Sequence, residues 1–314
     1  MPRHFIRLAA ASLLCAGGAA HAALAPAGAK PLYGRADCAR MLAGTPAAPI
    51  DRTADGAALL AALPAPQSPQ VARTLAGAGD EVLWWLRRNG KIDFDSVATA
   101  FHEANHALDM TLSGCAGGKA VYVFEGRAWP TEIVRGSTPP YPIAAAMLPA
   151  AFKSGQPGRY QTYLVQTPAT SGNDFTTLLD ELNAYVGAAQ LEQSLASTPL
   201  YASFRKDGVV RFDGAVGGSA DMMLYVLCYL KAVRLQHPRA YAGLRDSPLA
   251  LAHLQRLWSA GERVIAASVP HSTAHGGLID FPEAALDSIY SDEFIGELDR
   301  LGIRHDRRGL VPRP

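Results

Sequence analysis

The 314-residue chain carries few charges and few cysteines, and several familiar signatures are missing from it. Charged residues make up 18% and the formal net charge is +1, so no basic surface for nucleic acid or an anionic membrane is expected. No C-x-x-C pair occurs, which leaves a cysteine-based zinc site or a thioredoxin-type redox pair without support. Neither the G-x-S-x-G elbow of serine hydrolases nor a P-loop is present.

Hydrophobic residues make up 49% of the chain, which is enough for a buried core and excludes disorder of the whole chain. Their periodicity predicts more helices than strands, and we expect one mainly helical α+β domain over 23–314 with a small antiparallel sheet. The part from about 219 onward is expected to be helical. Helices are predicted over 57–63, 71–88, 95–112, 174–195, 219–235, 247–267 and 282–300, and strands over 119–129, 160–166 and 209–212.

The first 22 residues have the parts of a secretory signal peptide. Arg3 and Arg7 precede an apolar run over 8–15, and small residues follow up to an A-x-A site at 20–22. The run is shorter than the about 20 apolar residues that span a bilayer. Cys15 allows a lipoprotein interpretation, although the bulky leucine before it argues against lipid attachment. We therefore expect an exported protein, periplasmic or secreted, with no integral membrane segment after signal removal.

Three cysteines remain after removal of the signal peptide, and export determines whether they are expected to form disulfides. An odd number in an oxidising compartment predicts one disulfide and one free thiol. Cys228 lies in a run that is apolar nearly all round, so we expect it to be a buried, inert thiol. Cys38 and Cys115 then form the expected disulfide.

One motif carries chemistry: His102, Glu103 and His106 form H-E-x-x-H. On a helix, residues i and i+4 point the same way, so both imidazoles can bind one Zn²⁺ at about 2.0–2.1 Å. Glu103 projects about 100° away from His102 and can act on the water at the open metal position instead of binding the metal. Zinc lowers the pKa of such a water to about 7, and a carboxylate beside it serves as general base and then general acid.

The surroundings of the motif favour a site over a chance match. Apolar residues of the same segment, Phe101 and Leu108 among them, form a separate stripe that leaves His102, His106 and Asp109 at its margin. A helix that packs on the core with one side and lines a site with the other has this pattern. The alternative is a helix whose histidines are merely exposed or hydrogen-bonded.

These residues resemble the zincin metallopeptidase superfamily, whose signature is the H-E-x-x-H helix. The metzincin branch continues to a glycine and a third histidine, whereas Asp109 and Leu112 stand there in this chain. The gluzincin branch takes a glutamate from a later helix as its third ligand. The E-x-x-A-Y segment of Glu181 and Tyr185 is similar to that glutamate helix. The resemblance therefore implies a zincin-like fold and a metal site of His102, His106 and Glu181.

Other acidic residues compete with Glu181 for the ligand position, namely Asp109, Asp180 and Glu192. We expect Asp109 to accept a hydrogen bond from the second nitrogen of a metal-bound histidine. The oxyanion of the reaction needs a donor, for which Tyr185 is one candidate. A second histidine pair, His271 and His275, is the other, although Pro270 and two glycines predict a loop there.

The sequence thus predicts an exported zinc-dependent hydrolase that cleaves peptide bonds. Its substrate is expected to be a peptide or protein, with the peptides of peptidoglycan among the options. Two alternatives stay open. In one, the zinc helix is structural and the protein has no hydrolytic activity. In the other, the chain is a binding or scaffold protein of the cell envelope in which the motif is accidental.

Overall fold

The computed structural model describes residues 38–39, 69–89, 94–155, 157–195, 213–274, 283–307 and 310. The predicted signal peptide, the helix over 57–63, the strand over 209–212 and His275 lie outside these residues. Within them, the protein is mainly helical with one two-stranded antiparallel sheet, which confirms the expected α+β class. One hydrophobic core includes buried side chains from Val71 to Leu310.

Along the described chain, two long helices come first, the two strands follow, and the remaining elements are helical. Short 3₁₀ turns at Tyr141–Ala146 and Ser171–Asn173 connect some of them. Helix α4 continues directly into a π-helical turn, Gln161–Val165. The elements are α1 Pro69–Asn89, α2 Phe94–Cys115, β1 Lys119–Phe124, β2 Arg127–Val134, α3 Ala150–Gly155, α4 Pro157–Tyr160, α5 Phe175–Leu195, α6 Asp213–Gln236, α7 Pro238–Arg245, α8 Pro248–Ala274, α9 Glu283–Ile289 and α10 Asp292–Arg300.

Helices α5 and α6 form the centre of the molecule. Both are buried along most of their length, and the nine residues from Met222 to Leu230 have no exposed surface. Of the described chain, only Gly214–Gln236 is long and apolar enough to cross a membrane, and 94% of its most apolar window is buried inside the protein. A helix that is apolar all round is what the centre of a helical core requires.

Helix α2, which carries H-E-x-x-H, is held between α1 and α5. Gly77 of α1 allows the first of these contacts, because a Cβ there would lie 2.6 Å from Leu108 Cδ1. The backbone of α1 is kinked at the next residue, Ala78. The other side of α2 faces α5, so the metal-binding side chains of α2 and the acidic residues of α5 meet across one helix interface.

The sheet is a β-hairpin, and the two faces of its first strand pack against different parts of the protein. Strand β1 is buried from its second residue on, with Tyr122 and Phe124 in the main core and Val121 and Val123 against the end of α2. The chain reverses at Glu125 and Gly126, both with positive φ, as in a two-residue type I′ turn. The sequence run 119–129, predicted as strand throughout, is therefore two strands broken at this turn.

Three further expectations differ from the structure. Residues 160–165 of the predicted strand 160–166 are helical. The adjacent Tyr163 and Leu164 are both buried, as a helical turn permits and an alternating strand does not. The segment 282–300 is two helices separated at Tyr290 and Ser291. His271 lies in the last turn of α8 rather than in a loop. A short apolar run fits either a strand or a buried helix, which explains the first error.

The cysteines have the states that the sequence predicts. Cys38 and Cys115 form a disulfide that ties residue 38 to the last residue of α2. Cys228 is a free, buried thiol, and burial raises its pKa well above the usual value. The thiol of Cys228 therefore stays protonated, and the protonated form is unreactive.

His253 of α8 is a fully buried imidazole with both ring nitrogens unpaired among the described residues. Its ring stacks on Tyr122 of β1, with 4.5 Å between centroids and 6° between planes. Burial lowers the pKa of His253 to about 3, with a further contribution from Arg256, while Asp180 opposes the shift. The ring is therefore neutral in the folded protein over the physiological pH range.

This burial predicts acid sensitivity of the fold. The folded-state pKa of His253 lies below the unfolded value of 6.5, so the unfolded chain binds more protons as pH falls through 6.5 toward 3. The free energy of unfolding should then fall by about 2 kcal/mol between pH 7 and pH 5 from this residue alone. His253→Leu should remove that part of the loss in urea unfolding. Identical pH profiles for the two proteins would contradict the assignment.

Candidate metal centre

Three side chains from α2 and α5 converge on one point. His102 and His106 lie one turn apart on α2, and Glu181 reaches them from α5. The two Nε2 atoms are 3.0 Å apart. The Oε2 atom of Glu181 is 3.6 Å from Nε2 of His102 and 3.4 Å from Nε2 of His106. This triangle can hold a metal ion.

Its dimensions and chemistry fit such an ion. Ligand atoms at about 2.0–2.1 Å from a tetrahedral ion are about 3.3–3.4 Å from one another, close to the three distances above. Glu181 is 3% exposed, and its Oε2 atom accepts no hydrogen bond within the described part of the chain. A buried carboxylate oxygen without a partner is costly unless a cation faces it. Two imidazoles and one carboxylate leave a fourth tetrahedral position, where catalytic sites hold a water.

The histidines and the glutamate shift one another's pKa values. Burial alone would lower the pKa of His106, but the carboxylates of Glu181 and Asp180 raise it well above the usual value. Burial alone would raise the pKa of Glu181, but His106 and His102 lower it below its usual value. The cluster therefore has an ionised carboxylate at its centre.

Asp180 supports His106 from the side away from the ligand triangle. Its Oδ1 atom is 3.4 Å from Nδ1 of His106, while its Oδ2 atom accepts bonds from both terminal nitrogens of Arg135. Burial would raise the pKa of Asp180, but Arg135 and His106 lower it, so the carboxylate is ionised. A carboxylate that faces Nδ1 favours the tautomer that leaves Nε2 free to bind a metal.

Asp109, which the sequence analysis assigned to this supporting position, has a different place. Its Oδ1 atom accepts from the backbone N–H of Val123 at 2.6 Å, and its Oδ2 atom accepts from the side-chain amides of Asn183 and Asn105. Burial raises the pKa of Asp109 well above its usual value, and Asp180 raises it further. Asp109 thus joins α2 to β1 and α5, and Asp180 is the acidic residue that faces a histidine.

Glu103 of α2 and Tyr185 of α5 come from the same two helices as the ligand triangle. Glu103 is partly exposed and makes no hydrogen bond or ion pair with the described residues. The ring of Tyr185 meets that of His102 edge-on, with centroids 4.6 Å apart. Its hydroxyl shares a hydrogen bond of 3.0 Å with the hydroxyl of Tyr163. The partly exposed carboxylate of Glu103 therefore follows His102 along α2, and the phenols of Tyr185 and Tyr163 lie on the side of the His102 ring.

Of the other acidic candidates, Glu192 is not part of the ligand triangle. Glu192 lies about three turns further along α5, beside the start of α6. The backbone of His271 is at the end of α8, and His275 is outside the described residues. Sequence reasoning missed Arg135 and Tyr163, and no local pattern marks either one, because only the hairpin and the α4 turn bring them to the site.

No protein-family model, no curated protein and no solved structure matches this chain. The geometry of the cluster and the H-E-x-x-H motif are therefore the features of the chain that bear on its function.

The support of His106 by Asp180 predicts a metal-binding defect at a residue that does not touch the metal. Asp180→Asn should weaken metal affinity by about 10–100-fold, because the amide presents a poorer acceptor to Nδ1 and leaves Arg135 without its carboxylate. Competition with a chromophoric chelator measures this affinity.

Asp109→Asn is the matched control for this variant. Its new amide group would face the two asparagine donors, so the free energy of unfolding should fall by about 1–3 kcal/mol. Metal affinity should stay within about threefold of wild type. A loss of affinity in Asp109→Asn equal to that in Asp180→Asn would contradict the separate roles of these residues.

Proposed function

We propose that the protein is an exported zinc-dependent hydrolase of the zincin type that cleaves peptide bonds. The observation that carries the proposal is the convergence of His102, His106 and Glu181, with the partly exposed Glu103 directly after His102 in the motif. Two imidazoles and one carboxylate are a ligand set that zinc takes in catalytic sites with an open fourth position. The disulfide between Cys38 and Cys115 supports export, because disulfides persist in oxidising compartments.

His102, His106 and Glu181 would hold the zinc, which when bound lowers the pKa of a water molecule to about 7. Glu103 takes a proton from the attacking water and returns it to the leaving amine. Its lack of a hydrogen bond or ion pair to the described residues supports this role, because a proton carrier must be available to the reacting groups. Asp180 and Arg135 keep His106 in its metal-binding tautomer throughout.

Tyr185 is the oxyanion donor that the geometry supports. Its ring lies against His102, and its hydroxyl is oriented by Tyr163. A positioned phenol can donate to the oxygen that gains charge when water adds to a carbonyl. Gly218 of α6 makes room for this ring, because a Cβ there would collide with it.

The proposal predicts that metal binding and turnover separate at Glu103. Glu103→Gln should keep zinc near one ion per chain and lower the hydrolysis of fluorescent casein by at least about 10²-fold, since general acid–base catalysis contributes about 10²–10⁴-fold. Glu293→Gln, at an exposed ion pair with Lys231, is the matched control and should keep wild-type activity.

Retained turnover in Glu103→Gln would overturn the mechanism. A wild-type protein that holds zinc yet cleaves neither casein nor a mixed peptide library would favour a structural zinc site in an exported protein. A protein that takes up no metal would favour an envelope binding or scaffold protein instead.

A further inference from the structure

The last turn of helix α2 is bonded to Arg135. The hydroxyl of Ser113, in that turn, accepts a hydrogen bond of 3.0 Å from Nε of Arg135. It donates its own proton to the carbonyl oxygen of Asp109 at 2.6 Å, and it also accepts from the backbone N–H of Val121 at 3.0 Å. Ser113 is 1% exposed, so water does not compete for these bonds. One partner of this buried hydroxyl is therefore the arginine that pairs with Asp180.

The backbone that follows the same turn holds Arg135 a second time. The N–H of Gly118 donates to the carbonyl oxygen of Ser113, and the N–H of Arg135 donates to the carbonyl oxygen of Gly118, each at 2.9 Å. Gly117 and Gly118 have φ of 71° and 86°, a conformation that glycine adopts without strain and that lets the chain pass directly from the helix into β1. Both the side chain and the backbone of Arg135 are thus fixed by the end of α2.

From Arg135 the contacts continue to a metal ligand. Its two terminal nitrogens are 3.4 and 3.3 Å from Oδ2 of Asp180, and Oδ1 of Asp180 is 3.4 Å from Nδ1 of His106. Direct contacts therefore connect the hydroxyl of Ser113 to the imidazole of His106. A displacement of Ser113 moves the guanidinium, and the guanidinium orients the carboxylate that faces the histidine.

The disulfide lies in this turn. Cys115 is located between Ser113 and Gly118, the two residues that hold Arg135, and it is bonded to Cys38, 77 residues away in the sequence. A cross-link over so long a loop restricts the chain and opposes separation of the two segments. Both cysteines are partly exposed, so a reductant can reach the S–S bond. The bond therefore stabilises the end of α2, the part of a helix that frays first.

We propose that Ser113 and the Cys38–Cys115 disulfide are positioning elements for the metal centre, so that zinc is bound most tightly when the disulfide is formed. They act through Arg135 and touch neither metal nor substrate. This inference rests on the metal centre of the proposed function and not on hydrolysis. It adds a redox condition, because the exported chain reaches full zinc affinity only after its two thiols pass two electrons and two protons to the disulfide of an oxidant.

The zinc affinities of variants test the inference without turnover. Competition with a chromophoric chelator measures them for wild type, for Ser113→Ala and for the double change Cys38→Ser with Cys115→Ser. Each change should weaken zinc binding about tenfold, the lower end of the effect of residues that orient a metal ligand. The three substitutions together should also weaken it about tenfold rather than about a hundredfold, because effects within one network of contacts are not additive.

A matched serine separates positioning from a general loss of stability. Ser268 on α8 is buried, donates to the carbonyl oxygen of Val264 and accepts from Nε2 of Gln193. Ser268→Ala therefore removes a similar set of bonds that includes neither Arg135 nor a metal ligand. It should leave zinc affinity within about twofold of wild type, since sites without shared partners act independently.

Reduction of the folded wild type gives a second measurement if the serine variant of the disulfide does not fold. A water-soluble phosphine converts the S–S bond into two thiols and itself becomes the phosphine oxide, with water supplying the oxygen and both protons. Zinc affinity should fall by the same factor of about ten after this treatment, and it should fall much less in Ser113→Ala.

Zinc affinity within about twofold of wild type without the disulfide, additive losses in the combined variant, or an equal loss in Ser268→Ala would overturn the inference. Its failure differs from failure of the proposed function. A protein that binds zinc equally well in both redox states and cleaves casein keeps the hydrolase and loses the redox condition. One that binds zinc tightly only with the disulfide and cleaves nothing keeps the redox condition and loses the hydrolase. Absence of zinc binding in both states overturns both.

Discussion

The buried carboxylate of Glu181 is the constraint on which the rest of the site depends. Glu181 is 3% exposed, and its Oε2 atom lies within 3.6 Å of two imidazole nitrogens. No hydrogen-bond donor of the described chain reaches this atom. Burying an ionised carboxylate is costly unless positive charge compensates it. A metal ion held by Glu181, His102 and His106 would supply that charge, and the same carboxylate raises the pKa of His106 well above its usual value.

The surrounding framework keeps this carboxylate and its histidines in place. Arg135, from the end of the hairpin, pairs with Asp180, and Asp180 faces His106. Asp109 joins α2 to the hairpin and to α5 through one backbone and two amide donors. The two buried acids affect each other's pKa, but their other contacts differ: Asp180 faces a histidine, and Asp109 connects three elements of the fold. The hairpin matters to the site because it supplies Arg135 and the Val123 amide.

The sequence predicts the local part of this arrangement and misses the long-range part. His102 and His106 follow from i, i+4 spacing on a helix. Glu181 follows from the resemblance of its E-x-x-A-Y segment to the glutamate helix of the gluzincins. Which acid supports His106 depends on how α2 and α5 pack, so the sequence indicates Asp109 where the structure has Asp180. The sequence does not predict that Tyr163 contacts the site, because a short apolar run fits a strand as well as the helical turn that forms.

Metal content of the purified protein tests the central claim most directly. Elemental mass spectrometry of wild type, His106→Ala and Glu181→Ala, with Glu192→Ala as control, compares the ligand triangle with the acidic residue further along α5. The account predicts about one zinc per chain in wild type and in Glu192→Ala, and loss of zinc in the other two variants. Absence of metal after zinc is offered, or full retention in Glu181→Ala, would contradict it.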